Sequence, residues 1–315
     1  MSEADDGLGD ALGRLGRIFD LDRVAQSGTG LGDIERYYRT NRLAYTLLHS
    51  RANILHLGLS SGGTFKADDL YEQSRQVAAL FGDTPVDCLE LAAGRGANSE
   101  WLARARPDSR FTALDLSEAQ LAFARRAAGP LDNLAILQGD YHDLSDVADH
   151  SLDFVFIIEA LCYSPDKAAV FREVARVLRP GGRFLVYDGY REPGTADRST
   201  AEVRAARLLE RGMAVGTFET FDAVHAAARL AGFQLRSDRD LSEAVLPTCD
   251  RLARRAAKFL RLDPLARLTV GLLPHAFTNN IVAGLLFPIL MRRGTFSYRA
   301  SLFQTPQAAE PARPR

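Results

Sequence analysis

Between residues 86 and 190, short apolar runs alternate with amphipathic segments of helical period. Apolar runs of this kind form buried parallel strands, and the helices between them cover both faces of the sheet. The alternation therefore predicts an α/β fold built on one parallel sheet. The predicted strands are Val86–Leu91, Phe111–Leu114, Leu134–Gln138, Leu152–Ile158 and Arg183–Tyr187.

Local signals divide the chain around this core. Gly82 ends a helical pattern that begins at Asp68, and Ser117 with Gln120 has the spacing of a capping box at a helix start. Gly232 introduces a predicted sixth strand. We expect an N-terminal helical cap and substrate-entry segment over residues 1–82, a core over 83–240 and a C-terminal apolar and basic helical lid over 241–315.

Composition excludes several classes of protein. The 39 basic and 40 acidic side chains nearly balance, so no overall positive field would attract a nucleic acid. The three cysteines, at positions 88, 162 and 249, form no paired motif, which predicts neither a disulfide framework nor a metal site. The N-terminus lacks a basic region followed by an apolar one, so we expect a cytoplasmic protein.

The strongest chemical signal is the segment from Glu90 to Asn98, Glu-Leu-Ala-Ala-Gly-Arg-Gly-Ala-Asn, which follows the first strand. Gly94 and Gly96 allow a tight turn that a ligand can approach closely, although such a turn also occurs for structural reasons alone. Asp115 ends the second strand, 19 residues after Gly96, where a carboxylate meets ribose hydroxyls in this topology. Asp140 follows the third strand and could accept a hydrogen bond from an adenine amine. Either aspartate alone could equally be a helix cap.

These motifs resemble those of the class I methyltransferases, and more narrowly the sterol and tocopherol C-methyltransferase group. The resemblance covers roughly residues 85–190, including Glu159-Ala160-Leu161-Cys162-Tyr163 and the run Leu178-Arg179-Pro180-Gly181-Gly182. It implies a Rossmann-like methyltransferase sheet and S-adenosylmethionine as the methyl donor, with S-adenosylhomocysteine as product. A dinucleotide oxidoreductase fits less well, because a regular GxGxxG is absent.

The resemblance also implies roles for individual residues. Glu90, Ala92, Gly94 and Gly96 would surround the methionine part of the cofactor, and Asp115 with Leu116 would hold the ribose side. Asp140 and Tyr141 would bind the adenine. Ala92 departs from the family, which usually has a glycine there.

The acceptor site is predicted less directly. Glu159, His56 and Tyr163 are the candidate catalytic residues, although Glu159 could cap a turn and a lone histidine is often structural. Tyr163 stands where the family often has histidine. We expect substrate contacts from Tyr37, Tyr45, Cys162, Tyr190 and His275.

The C-terminal segment favours an apolar acceptor. Arg251, Arg254, Arg255, Lys258 and Arg261 share one helical face, a pattern typical of helices on anionic membranes and also of ordinary solvated helices. The apolar stretch Leu268–Met291 is interrupted by two prolines and two asparagines, which favours a lid or a shallow interfacial contact over a membrane span.

The sequence thus predicts methyl transfer to a lipophilic small molecule, such as C-methylation of a terpenoid or sterol-like alkene. An O- or N-methyltransferase would instead need a base, for which His56, His142 and Glu159 are candidates. A cyclopropane-forming lipid enzyme and a non-catalytic adenosyl-ligand binding module are further alternatives. The oligomeric state and the methylated atom are left open.

Overall fold

The computed structural model describes residues 3–44, 53–194 and 198–307. They form two compact units, each assembled from segments that are distant in sequence. The first unit comprises the described parts of residues 1–72, 189–221 and 240–298, and the second comprises those of 73–188, 222–239 and 299–315. Both units draw on all three segments expected from the sequence, and the functional division at residues 82 and 240 stays a prediction.

A seven-stranded sheet is the centre of the second unit. The strands are β1 Asp87–Leu91, β2 Arg110–Asp115, β3 Leu134–Gln138, β4 Leu152–Ile158, β5 Leu178–Arg191, β6 Gln234–Asp240 and β7 Phe296–Gln304. Their order in the sheet is β3-β2-β1-β4-β5-β7-β6, and the pairs β3–β2, β2–β1, β1–β4 and β4–β5 are parallel. The order reverses between β1 and β4, which is where open sheets of this type bind ligands. The predicted Rossmann-like sheet is confirmed.

Helices connect these strands. They are α4 Glu72–Phe81, α5 Ala97–Ala105, α6 Glu118–Ala128, α7 Lys167–Val177 and α9 Phe221–Leu230, with 3₁₀ turns at Ala67–Tyr71 and Leu161–Tyr163. Gly82 follows α4 with a φ of 67°, so the predicted glycine stop is confirmed. The predicted capping box of α6 is wrong, because the Ser117 side chain makes no capping bond. The N–H of Ser117 donates instead to the Oδ1 atom of Asp115, at 2.8 Å.

The core beside β5 contains a strand that the sequence pattern did not predict. Phe303 of β7 packs edge-on against Phe171 of α7, with ring centroids 5.4 Å apart. Phe184 of β5 and Phe233 join the same cluster. Burial of these rings fixes β7 within the sheet, so the C-terminal segment is not wholly helical.

The first unit is helical. Its helices are α1 Glu3–Gly16, α2 Leu21–Ala25, α3 Leu31–Ala44, α8 Thr200–Gly212, α10 Ser242–Leu260, α11 Asp263–Leu272 and α12 His275–Arg292. α12 packs against α8 and α10. The side chain of Asn41 ties α3 to the start of α12 by donating to the carbonyl of Ala276 at 2.8 Å.

The apolar stretch Leu268–Met291 is divided between α11 and α12 at Leu273-Pro274, and Pro288 lies inside α12. Within the described ranges, no helix has both the length and the apolar composition needed to cross a bilayer.

Candidate functional site

The loop after β1 contains three residues with positive φ angles: Ala92 at 52°, Gly94 at 55° and Gly96 at 73°. Glycine adopts this left-handed conformation freely, whereas a Cβ at residue 92 is strained. Gly96 is the N-cap of α5, and a Cβ there would lie 2.7 Å from the Cβ of Ala124. The close approach of the loop to α6 therefore requires glycine at position 96.

Glu90 lies at the base of this loop and is buried, with 3% of its surface exposed. Its Oε1 atom accepts from the Nδ2 of Asn98 at 2.9 Å, and its Oε2 atom accepts from the N–H of Ser99 at 3.1 Å and from its hydroxyl. Burial raises the pKa of Glu90 to about 7, against the opposing effect of these hydrogen bonds. Glu90 thus anchors the first turn of α5, a role that the sequence did not predict; its contact with a cofactor stays a prediction.

Asp115 ends β2 and faces the same loop. Its Oδ2 atom accepts from the N–H of Gly94, and its Oδ1 atom accepts from the N–H of Ser117, both at 2.8 Å. Burial raises the pKa of Asp115. Each oxygen has a second lone pair, so the carboxylate can accept bonds from two vicinal hydroxyls while it orients the loop.

Asp140, after β3, is held by a neighbour that the sequence analysis named only as an alternative base. The Oδ1 atom of Asp140 accepts from the N–H of His142 at 2.9 Å and lies 2.6 Å from its Nδ1. The Nε2 of His142 lies 2.8 Å from the hydroxyl of Ser164. The imidazole therefore bridges the β3 loop and the segment before α7, and fixes the carboxylate predicted to bind an amine.

Tyr141 lies where several strand ends meet. Its hydroxyl donates to the carbonyl of Ala160 at 3.3 Å. Burial raises the pKa of Tyr141, and the charges of Asp140, Asp188 and Asp115 raise it further. These carboxylates, of which Asp115 ends β2, Asp140 follows β3 and Asp188 lies on β5, are therefore within electrostatic range of one hydroxyl. Leu116, predicted beside the ribose, is 41% exposed and leaves an apolar surface beside Asp115.

The segment after β4 supplies further groups. Glu159 has a positive φ of 53°, and its N–H donates to the carbonyl of Tyr187 at 2.8 Å. Cys162 and Tyr163 lie in the following 3₁₀ turn. The N–H of Cys162 donates to the Oδ2 of Asp188 at 2.8 Å. Burial and the Asp188 carboxylate raise the pKa of the Cys162 thiol, which disfavours a nucleophilic thiolate.

Asp188 is a site residue that the sequence analysis missed. It is buried on β5, with 2% of its surface exposed. A signal was present, because an acid directly follows the apolar run Phe184–Tyr187 at the carboxyl end of a strand. Together with Glu90, Asp115, Asp140 and Glu159 it makes the strand ends acidic, which favours a ligand that carries positive charge.

Four of the remaining predicted residues lie in the described part of the first unit. His56 is buried, with its Nδ1 atom 2.9 Å from the carbonyl of Leu57. Tyr37 is buried and its hydroxyl donates to Asn280, whereas Tyr190 packs edge-on against Phe221. His275 is exposed at the start of α12. Tyr45 lies outside the described residues. The catalytic role of His56 and the substrate contacts of the other four residues stay predictions.

Metal ligands were not expected from the sequence. Across the parts of the chain that the structure describes, no group of three or more His, Cys, Asp or Glu side chains is placed to hold a metal ion.

Comparison with known proteins agrees with this geometry. Residues 89–186 match the family model of a methyltransferase domain. A sterol methyltransferase-like protein of Botryococcus braunii is 34% identical over 119 residues, which cover 38% of this chain and 30% of that protein. The 27-O-demethylrifamycin SV methyltransferase of Amycolatopsis mediterranei is 32% identical over 53% of this chain and 61% of its own. The chain thus covers less than two thirds of the length of these relatives.

Solved structures share the fold over most of the chain. A cyclopropane synthase from Mycobacterium tuberculosis superposes with a TM-score of 0.69 at 14% identity and covers 91% of this chain and 99% of that one. The geranyl diphosphate C-methyltransferase of Streptomyces coelicolor, in a complex that contains S-adenosyl-L-homocysteine, gives a TM-score of 0.61 at 16% identity, with coverages of 88% and 99%.

Proposed function

Because the chain contains a class I S-adenosylmethionine-dependent methyltransferase domain related to the sterol C-methyltransferases, we propose that the protein methylates a lipophilic small molecule. The observation that carries this proposal is the bond of Asp115, at the end of β2, to the glycine turn at Gly94, together with the oriented carboxylates of Asp140 after β3 and Asp188 on β5. Three strand ends thereby offer the acceptors that a cationic nucleoside ligand requires.

The residues of the crevice suit such a cofactor. Asp115 keeps a free lone pair on each oxygen for the ribose hydroxyls, and its bond to Gly94 holds the loop in place. Asp140, oriented by His142, would accept from the adenine amine. We assign Leu116 and Tyr141 to the flanks of the adenosine, and the turn from Ala92 to Gly96 to the methionine part.

When bound, S-adenosylmethionine supplies a methyl group on a cationic sulfur. The protein's contribution to an in-line displacement is to hold the acceptor at attack distance and to exclude water. We propose an alkene carbon of a terpenoid or sterol-like molecule as acceptor. Methylation of an alkene leaves a carbocation, which Glu159, assisted by Asp188 and Tyr163, would stabilise before a carboxylate takes the released proton.

Methylation of a hydroxyl or amine is the second candidate, and the similarity to the 27-O-demethylrifamycin SV methyltransferase favours it. Such an acceptor must lose a proton, and His56, His142 and Glu159 are the candidate bases. Both ring nitrogens of His142 already have partners in Asp140 and Ser164, which leaves His56 and Glu159 as the stronger candidates. The atom that carries the new methyl group in the product separates the two cases.

Calorimetry with S-adenosylhomocysteine tests the donor. We expect binding by the wild-type protein and a loss of about tenfold or more in Asp115→Ala, because hydrogen bonds to a charged acceptor contribute about 1.5–3 kcal/mol. The matched control is Asp132→Ala, an exposed carboxylate outside the crevice. Absence of binding at millimolar ligand would refute the proposed enzyme.

The acceptor is best identified with methyl-labelled donor and a cell lipid extract, followed by the mass of the labelled product. A labelled apolar product supports the proposal, and a labelled polar natural product supports the second candidate. Binding without turnover across all extracts would indicate a non-catalytic adenosyl-ligand module. The cytoplasmic location predicted from the sequence awaits fractionation of cells.

A further inference from the structure

Exposed apolar side chains are concentrated in one short segment of the first unit. Of the nine large hydrophobic residues that are exposed in the described chain, five lie between residues 262 and 273. Their exposed fractions range from 37% to 75%. We call this set the α11 patch; it consists of Leu262, Leu265, Leu268, Leu272 and Leu273. Clusters of exposed apolar side chains mark interaction surfaces more often than isolated exposed leucines do.

The patch follows from the sequence of α11. Leu265, Leu268 and Leu272 recur at intervals of three and four, which places them on one face of the helix. The residues that α11 buries are the smaller Ala266 and Val270. A helix on the surface of an ordinary globular protein has the opposite arrangement, with its large apolar side chains inward. The outer face of α11 is therefore suited to contact with another apolar surface.

Basic residues precede this face. Arg254, Arg255, Lys258 and Arg261 are exposed on α10 and at its end. Within the described ranges, none of these four side chains forms an ion pair. Residues 250–273 contain two acidic side chains, and each is already in an ion pair. Asp263 pairs with Arg267 at 2.6 Å, and Asp250 pairs with Arg292 at 2.7 Å. The segment therefore carries a local positive charge, although the chain as a whole has a net charge of −1.

We propose that the α11 patch docks on an anionic membrane surface, with its leucines among the acyl chains and the four basic residues on lipid phosphates. Adjacent leucines and unpaired basic residues are the combination that interfacial helices use. The sequence offered two membrane contacts, the basic helix near residues 250–262 and a shallow contact by residues 268–291, and the structure favours α11 as the source of the apolar side chains. Ala256 of α10 is buried and Phe259 is partly covered, so α11 supplies the apolar contact.

Flotation of the full chain with vesicles tests this surface without reference to methyl transfer. We expect the protein to bind vesicles of phosphatidylcholine with phosphatidylglycerol at least about tenfold more tightly than vesicles of phosphatidylcholine alone, and to be released by salt. The combined substitution Leu265→Ser, Leu268→Ser and Leu272→Ser should weaken anionic binding by about tenfold or more. Circular dichroism checks that the variant is folded.

Two controls make the result specific. Leu230→Ser changes an 86% exposed leucine on α9 and should leave vesicle binding unchanged. Arg254→Gln, Arg255→Gln and Lys258→Gln together should remove the preference for anionic lipid. Equal binding of the leucine variant and the wild type would overturn the proposal. So would a wild-type dimer in light scattering that the leucine variant dissociates, without vesicle binding, because the patch would then join two copies of the chain.

Discussion

The Nδ1 atom of His142 lies 2.6 Å from the Oδ1 atom of Asp140 and thereby fixes the carboxylate at the end of β3. On its other side the imidazole meets the Ser164 hydroxyl, which also accepts from the N–H of Asp166 at 3.2 Å. Ser164 can therefore donate its proton to Nε2, which leaves the Nδ1 proton for Asp140. With the protons in these positions, the Asp140 carboxylate is an acceptor and can also accept a hydrogen bond from a ligand amine.

Replacement of His142 by alanine should weaken S-adenosylhomocysteine binding by about tenfold, because Asp140 loses the group that orients it. Calorimetry measures the change. Ser164→Ala is the matched variant, since it retains the contact between His142 and Asp140 and should have a smaller effect. An affinity unchanged in His142→Ala would show that Asp140 needs no support or binds no ligand.

The strain at Ala92 predicts a stabilising substitution. Its φ of 52° lies in the left-handed region, which costs an L-residue about 1–2 kcal/mol, whereas glycine loses about 0.5–1 kcal/mol through the entropy of the unfolded chain. Ala92→Gly should therefore raise the free energy of unfolding by about 0.5–1 kcal/mol in denaturant titration. Ala93→Gly is the control and should destabilise, because Ala93 has no positive φ. Loss of stability in Ala92→Gly would mean that the loop adopts another conformation.

The sequence predicted the strands whose signals are local. β3 and β4 begin and end at the predicted residues, because their apolar runs are short and bounded by polar residues. β5 is longer than predicted, since Pro180-Gly181-Gly182 suggested a loop but is included in the strand. β7 was missed, although Phe296, Tyr298 and Ala300 alternate with polar residues as a strand requires; the longer apolar stretch before it suggested a purely helical segment.

The residues of the candidate site likewise fall into those that local sequence signals predicted and those that they did not. Asp115 and Asp140 were predicted because each follows an apolar strand. The internal role of Glu90 depends on Asn98 and Ser99, eight and nine residues away on a helix, and the position of Asp188 beside Cys162 depends on the pairing of β4 with β5. Contacts made only by tertiary packing have no local signature in a single sequence.

Buried Glu90 predicts a pH dependence of stability. Its pKa in the folded protein is raised from 4.5 to about 7, so the stability that it contributes is present below about pH 4.5 and is lost as the pH rises to about 7. One pKa unit corresponds to about 1.4 kcal/mol, so the free energy of unfolding of the wild type relative to Glu90→Gln should fall by about 3 kcal/mol across this range. Denaturant titrations at several pH values measure it.

Asp87→Asn is the opposite control. Hydrogen bonding to Arg110 lowers the pKa of Asp87, so the stability contributed by this carboxylate should be lost only as the pH falls below its usual range. If the difference between the wild type and Glu90→Gln does not change between pH 4.5 and 7, the pKa of Glu90 is the same in the folded protein as in the unfolded chain.

The contact between Gly96 and α6 predicts that the loss of stability in Gly96→Ala is partly compensated by a second substitution in α6. Gly96→Ala places a Cβ 2.7 Å from that of Ala124 at a φ of 73°, and overpacking with left-handed strain should destabilise the fold by about 2–4 kcal/mol. Ala124→Gly alone should cost about 1 kcal/mol of helix stability. In the double variant the clash is removed while the strain stays, so its loss should be smaller than the sum of the two single losses. S-adenosylhomocysteine binding, measured in parallel, should weaken in Gly96→Ala and recover in part in the double variant. Additive losses would mean that the loop moves away from α6 without resistance, and Gly96 would then be required by its φ angle alone.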